Sequence, residues 1–269
     1  MALREDQIER YSRQIILPNI GGKGQEKLLN GKVLIIGAGG LGSPCALYLA
    51  SAGVGKIGIV DSDAVEINNL QRQIIHSTAN VNKPKADSAK ERINAINPDV
   101  EVIPCKLRVT SKNILDVIKD YDIIVDGSDN FPTRYLVNDA CVLSKKPLSH
   151  GGIFRYDGQV MTILPGQSAC YRCLFPEPPP PGLVPSCQEA GILGAVAGVI
   201  GIIQANEVLK YILNMGSLLA GKLLVFNALD SSFRQVKVPR DPKCPVCGEK
   251  PTVTKLIDYE EFCQLRKKE

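Results

Sequence analysis

The run Val33-Leu34-Ile35-Ile36-Gly37-Ala38-Gly39-Gly40-Leu41-Gly42 leads straight into a small-residue stretch from Ser43 to Ser51. Apolar strand, GxGxxG turn and helix, in that order, let backbone N–H groups and a helix N-terminus hold phosphate. Asp61 closes the next apolar run, Ile57-Gly58-Ile59-Val60, near the spacing expected of a ribose-binding acid. Working outward, strands are expected at 33–37, 57–61, 100–105, 122–126 and 147–150, alternating with helices at about 43–52, 84–96, 111–119 and 131–144. This alternation predicts an α/β class: a Rossmann-like, mostly parallel sheet with helices on both faces.

After Gly151 the pattern changes. Gly158 to Leu164, Leu223 to Phe226 and Phe233 to Val238 read as strands added antiparallel in the C-terminal half. Between them a stiff proline loop, Pro176 to Pro185, delivers Ser186-Cys187-Gln188-Glu189 to an apolar helix over 190–213. Residues 1–30 read as a polar-faced helical segment outside the sheet. The chain is expected to form one domain over 1–248, with 31–151 as its nucleotide-binding half, 152–248 as its second half, and 249–269 as a tail.

A net charge of +4 in 269 residues, spread along the chain, does not point to nucleic acid. The apolar run from Ala190 to Ile203 falls short of the roughly 20 residues of a membrane span, so a buried helix is expected there. Met1 to Arg10 lacks the apolar stretch of a secretory signal. Nine cysteines, an odd number with no export signal, favour reduced thiols in the cytoplasm.

Two Cys-x-x-Cys pairs, Cys170/Cys173 and Cys244/Cys247, together offer four thiolates, a set suited to a structural zinc ion that staples the C-terminal end to the domain. The alternative is that each pair is a separate redox or structural motif. Arg72 and Lys85 read as phosphate cations, with Lys83 as the alternative to Lys85. Asp126 and Asp129 follow a strand and suit Mg²⁺ held jointly with phosphate. The segments Asn68-Asn69-Leu70-Gln71-Arg72 and Asp126-Gly127-Ser128-Asp129-Asn130 therefore fit a triphosphate and its metal better than a nicotinamide. Cys187 stands apart from both pairs, either as a nucleophile or as an idle loop thiol. His76 and His150 are too scattered to suggest a triad.

Taken in order, Arg10-Tyr-Ser-Arg-Gln-Ile-Ile-Leu17, Gly37-Ala-Gly-Gly-Leu-Gly42, Asp61, Asn68 to Arg72, Pro84-Lys85, Ser128-Asp-Asn130 and the paired Cys-x-x-Cys resemble the MoeB/ThiF/HesA adenylyltransferases. The resemblance covers about residues 7 to 248. It implies ATP-dependent adenylation of the C-terminal glycine carboxylate of a ubiquitin-like sulfur-carrier protein, with release of pyrophosphate. By position it implies that Gly37, Gly39, Gly40 and Gly42 approach the phosphates and that Asp61 takes the ribose. Asn69, Arg72 and Lys85 are implied to hold the triphosphate, Asn68, Leu70, Gln71 and Asn130 to line the nucleotide, and Asp129 to hold Mg²⁺. Arg13 is implied to act in the partner's site of a homodimer, and Cys187 matches a position that links covalently to the carrier in some members. The half over 152–248 would bind carrier and zinc.

The stretch Thr252 to Cys263 resembles the linker that joins longer members to a sulfurtransferase domain. The sulfur donor is accordingly expected to be a separate sulfurtransferase or cysteine desulfurase. Molybdenum cofactor biosynthesis is the favoured pathway, with thiamine, cysteine and tRNA-thiolation carriers as alternatives. The rivals of other classes are an NAD-dependent oxidoreductase, which leaves Arg72 and Asp129 without a role, and a non-enzymatic zinc scaffold.

Overall fold

Val33 and Ile35 face one side of the first strand, Leu34 and Ile36 the other, and none of the four is more than 3% exposed. A strand buried on both faces needs helices on both faces. The computed structural model describes residues 3–180 and 190–264. In chain order its elements are α1 (Glu5–Arg10), α2 (Ser12–Ile15), α3 (Gly21–Asn30), β1 (Lys32–Ile36), α4 (Gly42–Ser51), β2 (Lys56–Val60), α5 (Lys85–Ile96) and β3 (Glu101–Cys105). There follow α6 (Ile114–Ile118), β4 (Ile123–Asp126), α7 (Phe131–Leu143), β5 (Leu148–Phe154), β6 (Asp157–Ile163), α8 (Tyr171–Leu174), α9 (Gly194–Leu213), β7 (Lys222–Asn227), β8 (Ser232–Lys237) and α10 (Tyr259–Gln264).

The eight strands form one sheet in the order β3-β2-β1-β4-β5-β6-β7-β8. β3 through β5 pair parallel, and β6, β7 and β8 are added antiparallel. Val33 and Ile35 pack with Ala46 and Leu49 of α4 and Ala89 and Ile93 of α5. Leu34 and Ile36 pack with Ile118 of α6 and Leu136 and Ala140 of α7. The expected Rossmann-like sheet is therefore present. β5 runs past its expected end at 150 because it continues into a hairpin with β6.

Two glycines of the first turn are fixed by geometry. Gly37 adopts φ +98°, a region that favours glycine, and a Cβ on Gly42 would lie 1.9 Å from the Gly37 carbonyl oxygen. The last glycine of GxGxxG thus lets α4 start directly against the strand end. A Gly42→Ala substitution should displace that start and distort the whole loop.

Helix α9 is long and apolar enough to cross a membrane by length and composition, with half of its most apolar window buried in the fold. Its polar side chains explain where it belongs. Gln204 Nε2 donates to the Asp126 carbonyl at 2.8 Å and the Ser149 carbonyl at 3.1 Å. Glu207 accepts from Thr162 Oγ1 at 2.5 Å and from the Leu219 amide at 2.7 Å. Those bonds tie α9 to β4, β5 and β6, as befits the buried helix expected there. It begins at Gly194 rather than 190.

The N-terminal segment lies outside the sheet, as expected, yet it is packed rather than merely polar-faced. Tyr11 is 2% exposed and its hydroxyl accepts from Asn97 Nδ2 at 2.8 Å. At the other end, Val253, Leu256 and Ile257 pack against the core, and Tyr259 donates to Asp139 at 2.7 Å.

Candidate nucleotide site

Between β1 and β4 the strand order reverses, and in open α/β sheets ligands bind outside the strand ends at that switch. A cleft of about 270 Å³ opens there. The turns after β1, β2, β3 and β4 supply its walls: Gly37, Gly39 and Gly40; Asp61 and Asp63; Leu107 to Val109; Gly127 to Asn130. Arg72, Lys85, Arg108 and Arg134 bring four cations to the same space.

Asp61 ties the glycine loop to β2. Its Oδ2 accepts the Ala38 amide at 2.8 Å and its Oδ1 the Asp63 amide at 2.9 Å. Burial pushes the Asp61 carboxyl above the usual carboxylate range, opposed by the Lys85 charge. Lys85 is 7% exposed, and its Nζ lies 2.9 Å from Asp63 Oδ2. Lys83, the alternative, pairs with Glu91 and is not part of the cleft wall. The dipole of α5 disfavours an ammonium at its N-terminus, and the Asp63 carboxylate offsets that charge here.

Of the segment Asn68 to Arg72, the fold brings only Arg72 to the cleft wall, its Nη1 also donating to the Asn68 carbonyl at 3.2 Å. Asn69 is buried and serves its own turn, Oδ1 accepting the Glu66 amide and Nδ2 donating to Asn68 Oδ1. Asn68, Leu70 and Gln71 lie outside that wall, and the Gln71 backbone abuts Gly194. Gly42 is a packing residue, also outside it. Asn130 lines the cleft and caps α7, its Oδ1 accepting the Thr133 amide at 2.9 Å. Asp129 stands exposed beside it. Arg13 is exposed and does not line its own cleft. Cys187 lies outside the described residues.

Asp126, read with Asp129 as a metal-holding acid, faces inward instead. It is fully buried and accepts His150 Nδ1 at 2.8 Å, Ser128 N at 3.0 Å and Ser128 Oγ at 2.6 Å. Burial alone would raise its pKa; the hydrogen bond from His150 holds it below the usual range. His150, left without a role by the sequence, sits opposite it across the β4–β5 register and anchors the loop that carries Asp129. Gln73, Arg108 and Arg134 were also missed. No spacing rule marks them, since only the fold brings them to the strand ends.

Burial lowers the pKa of His76 and of His150, the two histidines of the chain. In the unfolded chain both return to about 6.5, so below that pH the unfolded state binds more protons and stability falls with acidification. The melting temperature is expected to drop between about pH 7.5 and pH 5.5, less so in a His76→Gln/His150→Gln variant. Identical slopes in the two proteins would contradict this.

The Sγ atoms of Cys170, Cys173, Cys244 and Cys247 all lie within 4.8 Å of one another. The separations include 3.6 Å for Cys170–Cys244, 4.0 Å for Cys170–Cys173 and 3.3 Å for Cys173–Cys247. Four sulfurs around zinc at about 2.3 Å would stand about 3.8 Å apart, so the cluster could hold zinc. The Asp241 amide donates to Cys173 Sγ at 3.4 Å, and the Gly248 amide to the Cys244 carbonyl at 3.0 Å, closing a knuckle turn.

Fold and cleft together define a nucleotide-binding α/β protein equipped for a polyphosphate. The chain belongs to the ThiF family, whose model matches residues 11–246. It is 51% identical over 271 aligned residues to the sulfur carrier protein adenylyltransferase of Thermus thermophilus, covering 99% of this chain and 100% of that one. It is 50% identical to the adenylyltransferase and sulfurtransferase MOCS3 of Anopheles gambiae, over 98% of this chain but only 60% of that longer protein. Among solved structures, E. coli MccB with ATP superposes with a TM-score of 0.78 at 26% identity, over 88% of this chain and 74% of that one. This membership sets aside the nicotinamide oxidoreductase.

Proposed function

We propose that the substrates are ATP and the C-terminal glycine carboxylate of a ubiquitin-like sulfur-carrier protein. The chain is an adenylyltransferase: the carboxylate attacks the α-phosphorus, an acyl-adenylate forms and pyrophosphate leaves. The observation that carries the reading is the meeting of the glycine loop, Arg72, Lys85 and Asp129 in one cleft of a chain 51% identical to a carrier adenylyltransferase.

The loop amides from Gly37 to Gly40 would cradle phosphate, and Asp61 would accept ribose hydroxyls. Asn130 is proposed to complete the nucleotide surface, with Asn68, Asn69, Leu70 and Gln71 forming the turn that presents Arg72 to it. Arg72 and Lys85 would offset the charge that builds on the phosphoryl oxygens, electrostatic help that needs no covalent step on the protein. Held by Asp129 together with phosphate, Mg²⁺ would supply further charge neutralisation. Zinc at the four cysteines would be structural. Cys187 is proposed as the residue that links to the carrier.

Arg13 would act in the cleft of a second copy. Ile16 and Leu17, close to it in the chain, are 70% and 49% exposed, an apolar surface of the kind a homodimer covers. The eight cysteines among the described residues are all free thiols, which suits the cytoplasm. Sulfur would reach the adenylate from a sulfurtransferase or a cysteine desulfurase, molybdenum cofactor synthesis being the favoured pathway and thiamine, cysteine or tRNA thiolation its alternatives.

Labelled pyrophosphate is expected to exchange into ATP only when Mg²⁺ and a carrier ending in Gly-Gly are both present. Exchange without any carrier, or NAD bound more tightly than ATP, would sink this function.

A further inference from the structure

Gln73 follows Arg72 in the chain and is buried. Its amide N–H bonds the Asn69 carbonyl at 2.9 Å and its carbonyl accepts the His76 amide at 3.1 Å, so the backbone is held in a turn. The residue is 5% exposed yet lines the nucleotide cleft beside Gly39, Gly40 and Arg72. Its Oε1 is buried with no hydrogen-bond partner among the described residues. Its Nε2 is the side-chain atom nearest Gly39, 3.7 Å from where a Cβ would stand on that glycine.

A buried polar group without a partner is costly, and native structures retain few of them. An apolar side chain of equal length would fill this space at lower cost. The arrangement instead leaves a donor end toward a loop built to receive an anion, at the expense of an unpaired acceptor end.

We infer that Gln73 is a phosphate-binding residue: its side-chain Nε2–H donates to a phosphate oxygen of the bound nucleoside triphosphate, between the glycine loop and Arg72. This rests on the nucleotide reading of the cleft and adds to it a neutral donor whose position is set before the ligand arrives. Arg72 is half-buried, whereas Gln73 is buried and has less room to move. A donor that does not have to reorganise on binding contributes more than one that does. Base nitrogens and ribose oxygens accept as well, so it is the place of Nε2 beside Gly39 of the glycine loop that directs the bond to phosphate.

Two variants separate this role from a structural one. Gln73→Met keeps length and volume, removes the donor and also removes the orphan oxygen. Gln73→Glu keeps the shape and places an acceptor against the anion. Binding of MgATP, and of adenosine as a probe without phosphate, is measured by calorimetry, alongside the melting temperature of the ligand-free protein. Gln73→Met is expected to weaken MgATP by about 10- to 100-fold, the effect of losing one hydrogen bond to a charged group. Gln73→Glu should weaken it further. Adenosine affinity should stay unchanged in both, and the melting temperature of Gln73→Met should equal or exceed that of the wild type.

Affinity lost while stability is kept or gained is the pattern of a residue maintained for its ligand. MgATP binding to Gln73→Met at wild-type strength overturns the inference. So does a parallel loss of adenosine affinity and melting temperature, which would mark Gln73 as part of the packing. Wild-type protein that binds adenosine but not MgATP, or neither, overturns the nucleotide reading itself and this inference with it.

Discussion

Replacing Cys244 with serine is expected to release the metal and lower the melting temperature by roughly 10 °C, at about 2–4 °C per kcal/mol for a domain of this size. The cysteine pairs close a loop of 74 residues between Cys170 and Cys244. By the loop-entropy argument used for cross-links, such a closure is worth about 4 kcal/mol. The effect should reach beyond the cysteines. Tyr171, between the first two thiols, packs on the His150 ring with centroids 4.7 Å apart, and His150 holds Asp126 beneath the Asp129 loop. Arg172, also between them, is buried against Asp139, to which Tyr259 of α10 bonds in turn. Metal analysis of the wild type should find about one zinc per chain, because a thiolate site of this kind couples metal binding to folding. No metal in the wild type, or unchanged metal content and melting in Cys244→Ser, would refute the staple.

What could be read from the sequence follows from what is local. β1, β2 and β4 were legible because a strand buried on both faces is a continuous apolar run, and Gly37, Asp61 and Asp129 because they stand at the ends of such runs. The four cysteines were legible from spacing alone, since Cys-x-x-Cys presents two thiols to one ion wherever it lies. Asp126 was not separable from Asp129. Both follow the same strand, and only the β5 register, which places His150 opposite, shows that one points inward. Asn68 to Gln71 carry nucleotide-like amides, but the 3₁₀ turn from Ile67 to Asn69 uses the Asn69 side chain for itself. Arg108 and Arg134 reach the cleft from a loop and a helix whose approach no periodicity records. Arg108 also pairs with Glu260 of the C-terminal helix, which no local pattern could join to it.

Arg13→Ala and Lys85→Ala are each expected to lower adenylation on the order of 10³-fold, the size of effect seen when a cation is removed from developing phosphate charge. The two losses should complement each other. Lys85 stands in the cleft of its own chain, 2.9 Å from Asp63, whereas Arg13 is exposed and outside that cleft. If Arg13 serves the neighbour, a dimer with one chain of each variant holds one site with both residues intact and one with neither. In an equal mixture half of the dimers are hybrids, so about a quarter of wild-type activity should return. The same mixture separates competing roles for Arg13. A residue needed only for folding or assembly would lower melting temperature or dimer content in the single variant. A residue acting within its own chain would leave every hybrid site lacking one cation, and the mixture would stay as inactive as its parents. Activity that stays absent, with subunit exchange verified by mass spectrometry, would therefore exclude action in trans and leave the cleft to the cations of its own chain.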